Sequence, residues 1–189
     1  VCSILHRGGT FLKSARSMEF QTSEGRKKAY RNFKDRELDA LVIIGGDGSF
    51  TGAHLFYQEF GVPVIGIPGT IDNDLTGTDF TIGYDTACNT AAEAIDKIRD
   101  TASSHERLFF VEVMGRDAGF IAINAGIGGG AISTIIPEST ISKEELVEAI
   151  KQGTASNYAT SLVIVAEGGP LGGAYQVAEL VKPYLADYD

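Results

Sequence analysis

The chain has no tryptophan, two cysteines, three histidines, two methionines and five prolines in 189 residues. Cys2 and Cys88 are too few for a disulfide framework or a zinc site. Both are read as small, half-buried thiols, with a reducing cytoplasm as the expected location. His6 and His54 show no metal-ligand spacing, and no Ser-His-Asp or Cys-His arrangement is present. Positive charge is scarce: 16 Lys+Arg against 25 Asp+Glu leave a net charge of −9. Nucleic acid and anionic membranes need a basic face, which argues against both as partners. A small phosphorylated ligand needs only a few local cations. No apolar run reaches the roughly 18 residues of a membrane span. The opening VCSILHRGGTF lacks the charged start and apolar stretch of a signal peptide. Neither a GxxxxGK[ST] loop nor a GxGxxG after a strand occurs, so those two nucleotide-binding classes lose support.

What remains is ordinary for a globular protein: 43% hydrophobic and 22% charged residues. The length suits one full domain or parts of two, with a sizeable core. Glycine is frequent, at 23 residues, but clustered rather than periodic, which excludes collagen-like and solenoid chains. The patterning predicts an exposed charged helix over 23–37, a buried strand over 40–44 and a helix over 49–60. A strand over 62–67 runs into Pro68-Gly69, with loop over 69–83 and a long helix over 85–105. Then come a strand (108–114), a helix (117–126), a strand (132–136) and a helix (142–153) with Ser142 and Glu145 as a capping box. A strand over 161–166 and a helix over 173–185 complete the chain. Alternating strands and helices mean α/β with mainly parallel sheets and crossover helices. A boundary near 83–85 divides the chain into lobes 1–83 and 84–189.

Ligands in such folds sit beyond the carboxyl ends of strands, and there the Gly, Asp and Arg residues collect. Gly45-Gly46-Asp47-Gly48-Ser49 joins a strand to a helix N-terminus. Backbone N–H groups and the helix dipole there favour a phosphate, and Asp47 offers a hard oxygen to Mg²⁺. Plain packing also places double glycine after a strand. In Pro68-Gly69-Thr70-Ile71-Asp72-Asn73-Asp74, two carboxylates lie two residues apart and can divide proton transfer from orientation or metal support. An Asp/Asn turn is the alternative, and it is the reading kept for Asp79. Arg116 follows a strand and is suited to forking onto a phosphate. Arg107 precedes the same strand, so the two guanidinium groups serve one phosphate only if they come from different subunits. Glu167 is either a sugar-hydroxyl acceptor or a solvated turn carboxylate; Arg16 is either a surface charge or a phosphate contact; His105 is a structural cap. The glycine run 126–130 follows a helix, and close helix packing explains it.

Together these segments resemble the ATP-dependent phosphofructokinases. GGTFLKSAR (8–16), IGGDGSFTGA (44–53), VIGIPGTIDNDLTGTDFTIGYDTA (64–87), AIDKIRDTASSHERLFFVEVMGRDAG (94–119) and IIPE (135–138) lie in the family's order at close to its spacing. The resemblance implies two Rossmann-like lobes, both incomplete here. It implies phosphoryl transfer from ATP to the 1-hydroxyl of fructose 6-phosphate, in a cytoplasmic glycolytic homo-oligomer, a tetramer when intact. Gly46, Asp47, Gly48 and Ser49 would contact ATP, with Asp47 on Mg²⁺, and Arg16 would reach the nucleotide phosphates. Thr70 and Asp72 would face the transferring phosphate and the acceptor hydroxyl, Asp72 as the base. Asp74 would support the loop and metal region. Met114, Gly115, Arg116 and Glu167 would hold the sugar phosphate, and Arg107 would serve a neighbouring subunit's site. Arg116 is counted with Thr70 and Asp72 in the catalytic set.

Pyrophosphate-using relatives carry Asp at the position of Gly48 and Lys at that of Gly69, so two glycines imply ATP as donor. A pyrophosphate-dependent relative and a non-catalytic binding or assembly module are the rival readings. NAD and lipid kinases share GGDG but do not explain VEVMGR or PGTIDND. The sequence also departs from the family. It starts at Val, without the usual N-terminal strand and its Gly-Gly-Asp loop, and without the C-terminal His and Arg residues for the sugar phosphate. An internal fragment with weak or no catalysis on its own is the expectation. Residues 153–161 hold no Lys or Arg, and Ile132 stands where an acid is usual, so only Arg99 remains of the nucleotide effector site, which is expected to be weakened or lost.

Overall fold

The computed structural model describes residues 6–11, 13–105, 107–155 and 161–185. The cap expected of His105 and most of the 153–161 segment lie outside the described side chains and residues, as does Cys2. The chain divides into two compact units, Val1–Ile67 and Pro68–Asp189.

In the first unit, α1 (Ser23–Asp35) starts at Thr22, whose hydroxyl accepts the Gly25 N–H at 3.1 Å. β1 (Leu41–Gly45) leads into α2 (Asp47–Phe60). The helices join through aromatic side chains: Phe33, Phe56 and Val62 are buried, and Tyr30 stacks on Phe60 at 4.5 Å between centroids. Arg26 is buried and forks onto Glu59 at 2.6–2.9 Å, while its remaining nitrogen donates to the Phe20 and Gln21 carbonyls. That planar, fully used fork ties α1 to α2. On the strands, Val42, Ile44 and Ile65 are exposed, leaving an apolar face uncovered.

β2 (Val64–Thr70) crosses the division between the units, and β3 (Ile82–Gly83) pairs parallel to it at Gly69 and Thr70. The sheet order is β1-β2-β3. Residues 68–83 group with the second unit, while β3 belongs to the first sheet.

The second sheet is β4 (Phe109–Val113), β6 (Leu162–Ala166) and β5 (Ser133–Ile135), in the order β4-β6-β5, with both flanking strands parallel to β6. All five residues of β6 are fully buried, as its unbroken apolar run LVIVA requires of a central parallel strand. Alternation sends Val163 and Val165 against α5 (Lys143–Ala155) and α6 (Ala174–Val181), through Leu146, Ile150, Val177 and Val181. It sends Leu162, Ile164 and Ala166 against α3 (Tyr84–His105) and α4 (Phe120–Gly129), through Ile95, Ala122 and Ala125. Helices thus cover both faces, and the class is α/β with small parallel sheets.

Several boundaries differ from the sequence reading. β2 continues through Pro68-Gly69 to Thr70, because pairing with β3 carries the strand beyond the proline. α2 begins at Asp47 rather than 49, with extended Gly46 as its N-cap. α4 contains the glycines to 129 and closes on Gly130, at φ +65°. A side chain at Gly129 would collide with Ile95 and one at Gly126 with Thr134, so close packing accounts for these two, whereas a Cβ at Gly128 would meet open space. α5 passes Gly153, where a Cβ would lie 2.6 Å from Ile132. Ser142 and Glu145 form the expected capping box, at 2.8 and 3.2 Å. The last helix stops at Val181, followed by a single tight turn, Lys182–Tyr184. No helix among the described residues is long and apolar enough to cross a membrane.

Candidate active site

In the second unit, the carboxyl ends of β2, β4 and β6 carry the predicted residues. Thr70 ends β2, and its hydroxyl lies 3.3 Å from both the Asp72 carboxylate and the Asp72 N–H. Asp72 is only 7% exposed. Burial pushes its carboxyl above the usual range, and the neighbouring Asp74 charge pushes it further. Thr70 and Arg116 oppose that rise without cancelling it. Such a carboxylate takes up a proton more readily than a solvated one.

Asp74 stands 3.5 Å from the Arg116 guanidinium through one oxygen. Its other oxygen is buried and has no hydrogen-bond partner among the described residues. Arg116 has half its side chain in solvent, leaving donors free for an anion.

Arg116 adopts φ +53°, unusual for a non-glycine residue. Gly115 before it has φ +153°, and a Cβ there would collide with the Ala118 carbonyl. This strained turn is held by Glu167. One carboxylate oxygen accepts the Gly115 N–H at 2.9 Å and the Arg116 N–H at 2.7 Å. The Glu167 N–H in turn donates to the Val113 carbonyl at 2.9 Å. The two bonds from the turn hold the Glu167 carboxyl below its ordinary value. Neither sequence reading of Glu167, sugar-hydroxyl acceptor or solvated carboxylate, included this grip on the neighbouring turn. Met114 is exposed beside it.

The structure therefore brings Thr70, Asp72, Asp74, Gly115, Arg116 and Glu167 together. Arg107 precedes β4 and Arg116 follows it, so they stand at opposite ends of a strand rising about 3.3 Å per residue. Arg107 is exposed. In the first unit, Asp47, Gly48 and Ser49 form the first turn of α2, all exposed, and Gly46 caps it without a side chain. A Cβ on Gly48 would meet open space. Arg16 is exposed in irregular chain before the turn Glu19–Gln21.

Sequence reasoning gave no role to Asn73, Glu138, Tyr84 or Asn124. Asn73 sits at φ +54° and binds Thr81 and Asp79 across the loop. Both oxygens of Glu138 accept the Gly119 N–H at the start of α4, at 2.8 and 3.1 Å. Asn124 donates to the Tyr84 hydroxyl and to the Phe120 carbonyl. Burial and neighbouring Cys88 push Tyr84 up to about 12, so it stays a neutral bridge between α3 and α4. Of these, only Asn73 carried a local signal, as an Asn in a tight polar turn.

Comparison with known proteins identifies the family. The family profile described as "Phosphofructokinase" matches residues 1–187. The chain is 60% identical over 189 residues to "ATP-dependent 6-phosphofructokinase 2" of Bacteroides thetaiotaomicron, covering all of this chain and 58% of that protein. It is 54% identical over 189 residues to the "ATP-dependent 6-phosphofructokinase" of Cytophaga hutchinsonii, again covering all of this chain and 58% of that protein. Among solved structures, Pichia pastoris phosphofructokinase in the T-state matches with a TM-score of 0.86 at 36% identity, over 96% of this chain and 22% of that one. A pyrophosphate-dependent phosphofructokinase from Marinobacter aquaeolei matches with a TM-score of 0.74 at 26% identity, over 94% of this chain and 48% of that one. The chain thus spans a little over half the length of the curated relatives it matches. The profile over nearly every residue, the curated relatives and the shared fold agree: the chain belongs to the phosphofructokinase family.

Proposed function

We propose that the intact protein transfers the terminal phosphoryl group of ATP to the 1-hydroxyl of fructose 6-phosphate, giving fructose 1,6-bisphosphate and ADP. The observation that carries this reading is Asp72, a buried carboxylate with raised proton affinity beside Thr70, at the end of a strand. The bond from the sugar oxygen to the γ-phosphorus forms as the bond from that phosphorus to the bridging oxygen breaks. The hydroxyl proton passes to Asp72, and ADP leaves with the bond's electron pair. Such a transfer needs positioning and charge neutralisation rather than covalent help. Thr70 orients Asp72. Arg116, fixed by Glu167, holds phosphate charge, and Met114 and Gly115 line the sugar phosphate beside it. Arg107 completes the site from a neighbouring subunit.

The nucleotide side rests on Gly46 to Ser49 and on Arg16. A helix N-terminus with no side-chain cap, an exposed Asp47 and open space at Gly48 fits magnesium-bound phosphates. Mg²⁺ binds through one or two carboxylates and substrate phosphates, and Asp47 suits that arrangement. Bound there, the ion would neutralise phosphate charge. Gly48 and Gly69 favour ATP over pyrophosphate, and the relatives at 52–60% identity are named ATP-dependent, against 26% for the pyrophosphate-dependent structures. The lobes, 1–83 for nucleotide and 84–189 for sugar phosphate, the cytoplasmic location and a homo-oligomer, a tetramer when intact, belong to the same proposal.

The test is product formation by the intact protein with fructose 6-phosphate and Mg²⁺, comparing ATP with pyrophosphate. Turnover with ATP alone is expected. Turnover with pyrophosphate and none with ATP would overturn the donor, and none with either would overturn the activity.

A further inference from the structure

The turn that carries Asp72 and Asp74 is closed by a side chain with no place yet in the chemistry. Asn73 lies between the two carboxylates, at φ +54°, where Asn is tolerated and branched or bulky residues are not. Its Oδ1 accepts the Thr81 N–H at 2.8 Å and the Thr81 hydroxyl at 3.1 Å. Its Nδ2 donates to the Asp79 carbonyl at 3.2 Å. One short side chain thereby makes three bonds to the far side of the loop. Thr81 is itself buried, 5% exposed, and its carbonyl accepts the Tyr84 N–H at 3.3 Å where α3 begins. At the loop's base, Gly69 and Thr70 pair with Ile82 and Gly83. The loop is pinned at both places, and Asp72 lies between the pins.

A loop of this composition has no apolar core of its own, so its shape depends on these bonds. We propose that Asn73 is a positioning residue for phosphoryl transfer: its clasp on Asp79 and Thr81, at left-handed backbone, fixes where Asp72 stands. The inference rests on the reading of Asp72 as the base. A base displaced by about 1 Å loses on the order of 10²-fold in rate without losing substrate binding, so the clasp acts on kcat rather than KM. Asn73→Gly leaves positive φ accessible and removes the clasp, at the cost of a looser backbone. Thr81→Val keeps the side chain's shape and the backbone donor and removes one bond of the three.

The experiment is a double-mutant cycle in the intact protein, with steady-state kinetics on fructose 6-phosphate and Mg²⁺-ATP and thermal melting of each variant. Asn73→Gly is expected to lower kcat at least tenfold with both KM values within about threefold, and to cost almost nothing further once Asp72 is already Asn. An undiminished kcat, or an equal loss with and without Asp72, would overturn the proposal. If Asn73→Gly does not fold, Thr81→Val is taken through the same cycle, with a smaller loss of kcat expected and the same two outcomes against it. If Asp72→Asn alone keeps its rate, the assignment of the base fails, and the role of Asn73 through it fails as well. An active-site base confirmed beside an additive Asn73 effect would overturn only the positioning role.

Discussion

Two carboxylates in one site are driven in opposite directions by their surroundings. Asp72 is buried beside Asp74, and its proton affinity rises. In the window between the ordinary carboxylate value and the raised one, the folded state keeps a proton that the unfolded state has released. Asp72 therefore subtracts stability as pH rises through that window. The acid limb of kcat/KM for the intact protein is expected above the ordinary carboxylate range of about 4; a limb at or below it contradicts the assignment. Glu167 is the reverse case, lowered by two N–H donors from the turn it holds. Its contribution is present above the ordinary value and lost as pH falls through the lowered one. Glu167→Ala is expected to cost about 1–3 kcal/mol at neutral pH, because water reaches the N–H of exposed Arg116 while the N–H of buried Gly115 loses its acceptor, and to raise KM for the sugar phosphate as the Arg116 turn loosens. Denaturant melts at neutral and acid pH check the first, since the deficit must shrink on acidification; initial rates check the second.

At the scale of elements, what the sequence discloses depends on distance along the chain. The alternation of apolar runs and amphipathic stretches made the α/β class, the order of the elements and the Ser142–Glu145 cap readable. Local punctuation misled where packing overrode it. Pro68-Gly69 reads as a stop, yet β3 extends the strand past it, and Gly153 reads as a helix end, yet it lies inside α5 against Ile132. The chemistry of the site was legible as residue types at strand ends. The grip of Glu167 on Gly115 and Arg116 was not, because it joins residues 51 and 52 positions apart. The clasp of Asn73 was half visible as an Asn in a polar turn, while its partner Thr81 lies eight positions on. The glycines of α4 give an element-scale test. Gly129→Ala adds one methyl group against fully buried Ile95, and overpacking of this kind costs about 1–3 kcal/mol. The melting midpoint should fall although alanine is the better helix former; an unchanged or higher midpoint would show that α3 and α4 separate without cost.

For the whole molecule, the two arginines at opposite ends of β4 matter most. Under the proposed function both act on one sugar phosphate, and a single subunit cannot bring both to it. Arg107→Ala and Arg116→Ala should each disable the intact protein. When the two variants are refolded together as mixed oligomers, about a quarter of the sites regain both arginines in a two-subunit site. Recovered turnover on mixing is the expected result, and none on mixing would contradict a site shared between subunits. The exposed apolar face of Val42, Ile44 and Ile65 belongs to the same scale, since parallel sheets are normally covered on both sides. The 189-residue chain, which spans 58% of the length of its curated relatives, is proposed to show weak or no turnover by itself.

The most direct measurement is the rate of fructose 1,6-bisphosphate formation by the intact protein carrying Asp72→Asn, with Mg²⁺-ATP and fructose 6-phosphate both saturating. The substitution keeps the shape of the side chain and removes the base and its buried charge. The account predicts a loss of about 10²–10⁴-fold in rate, with substrate binding retained and a melting temperature at neutral pH at or above that of the parent. A rate within tenfold of the parent would contradict it, because the hydroxyl proton would then leave without the carboxylate at the end of β2.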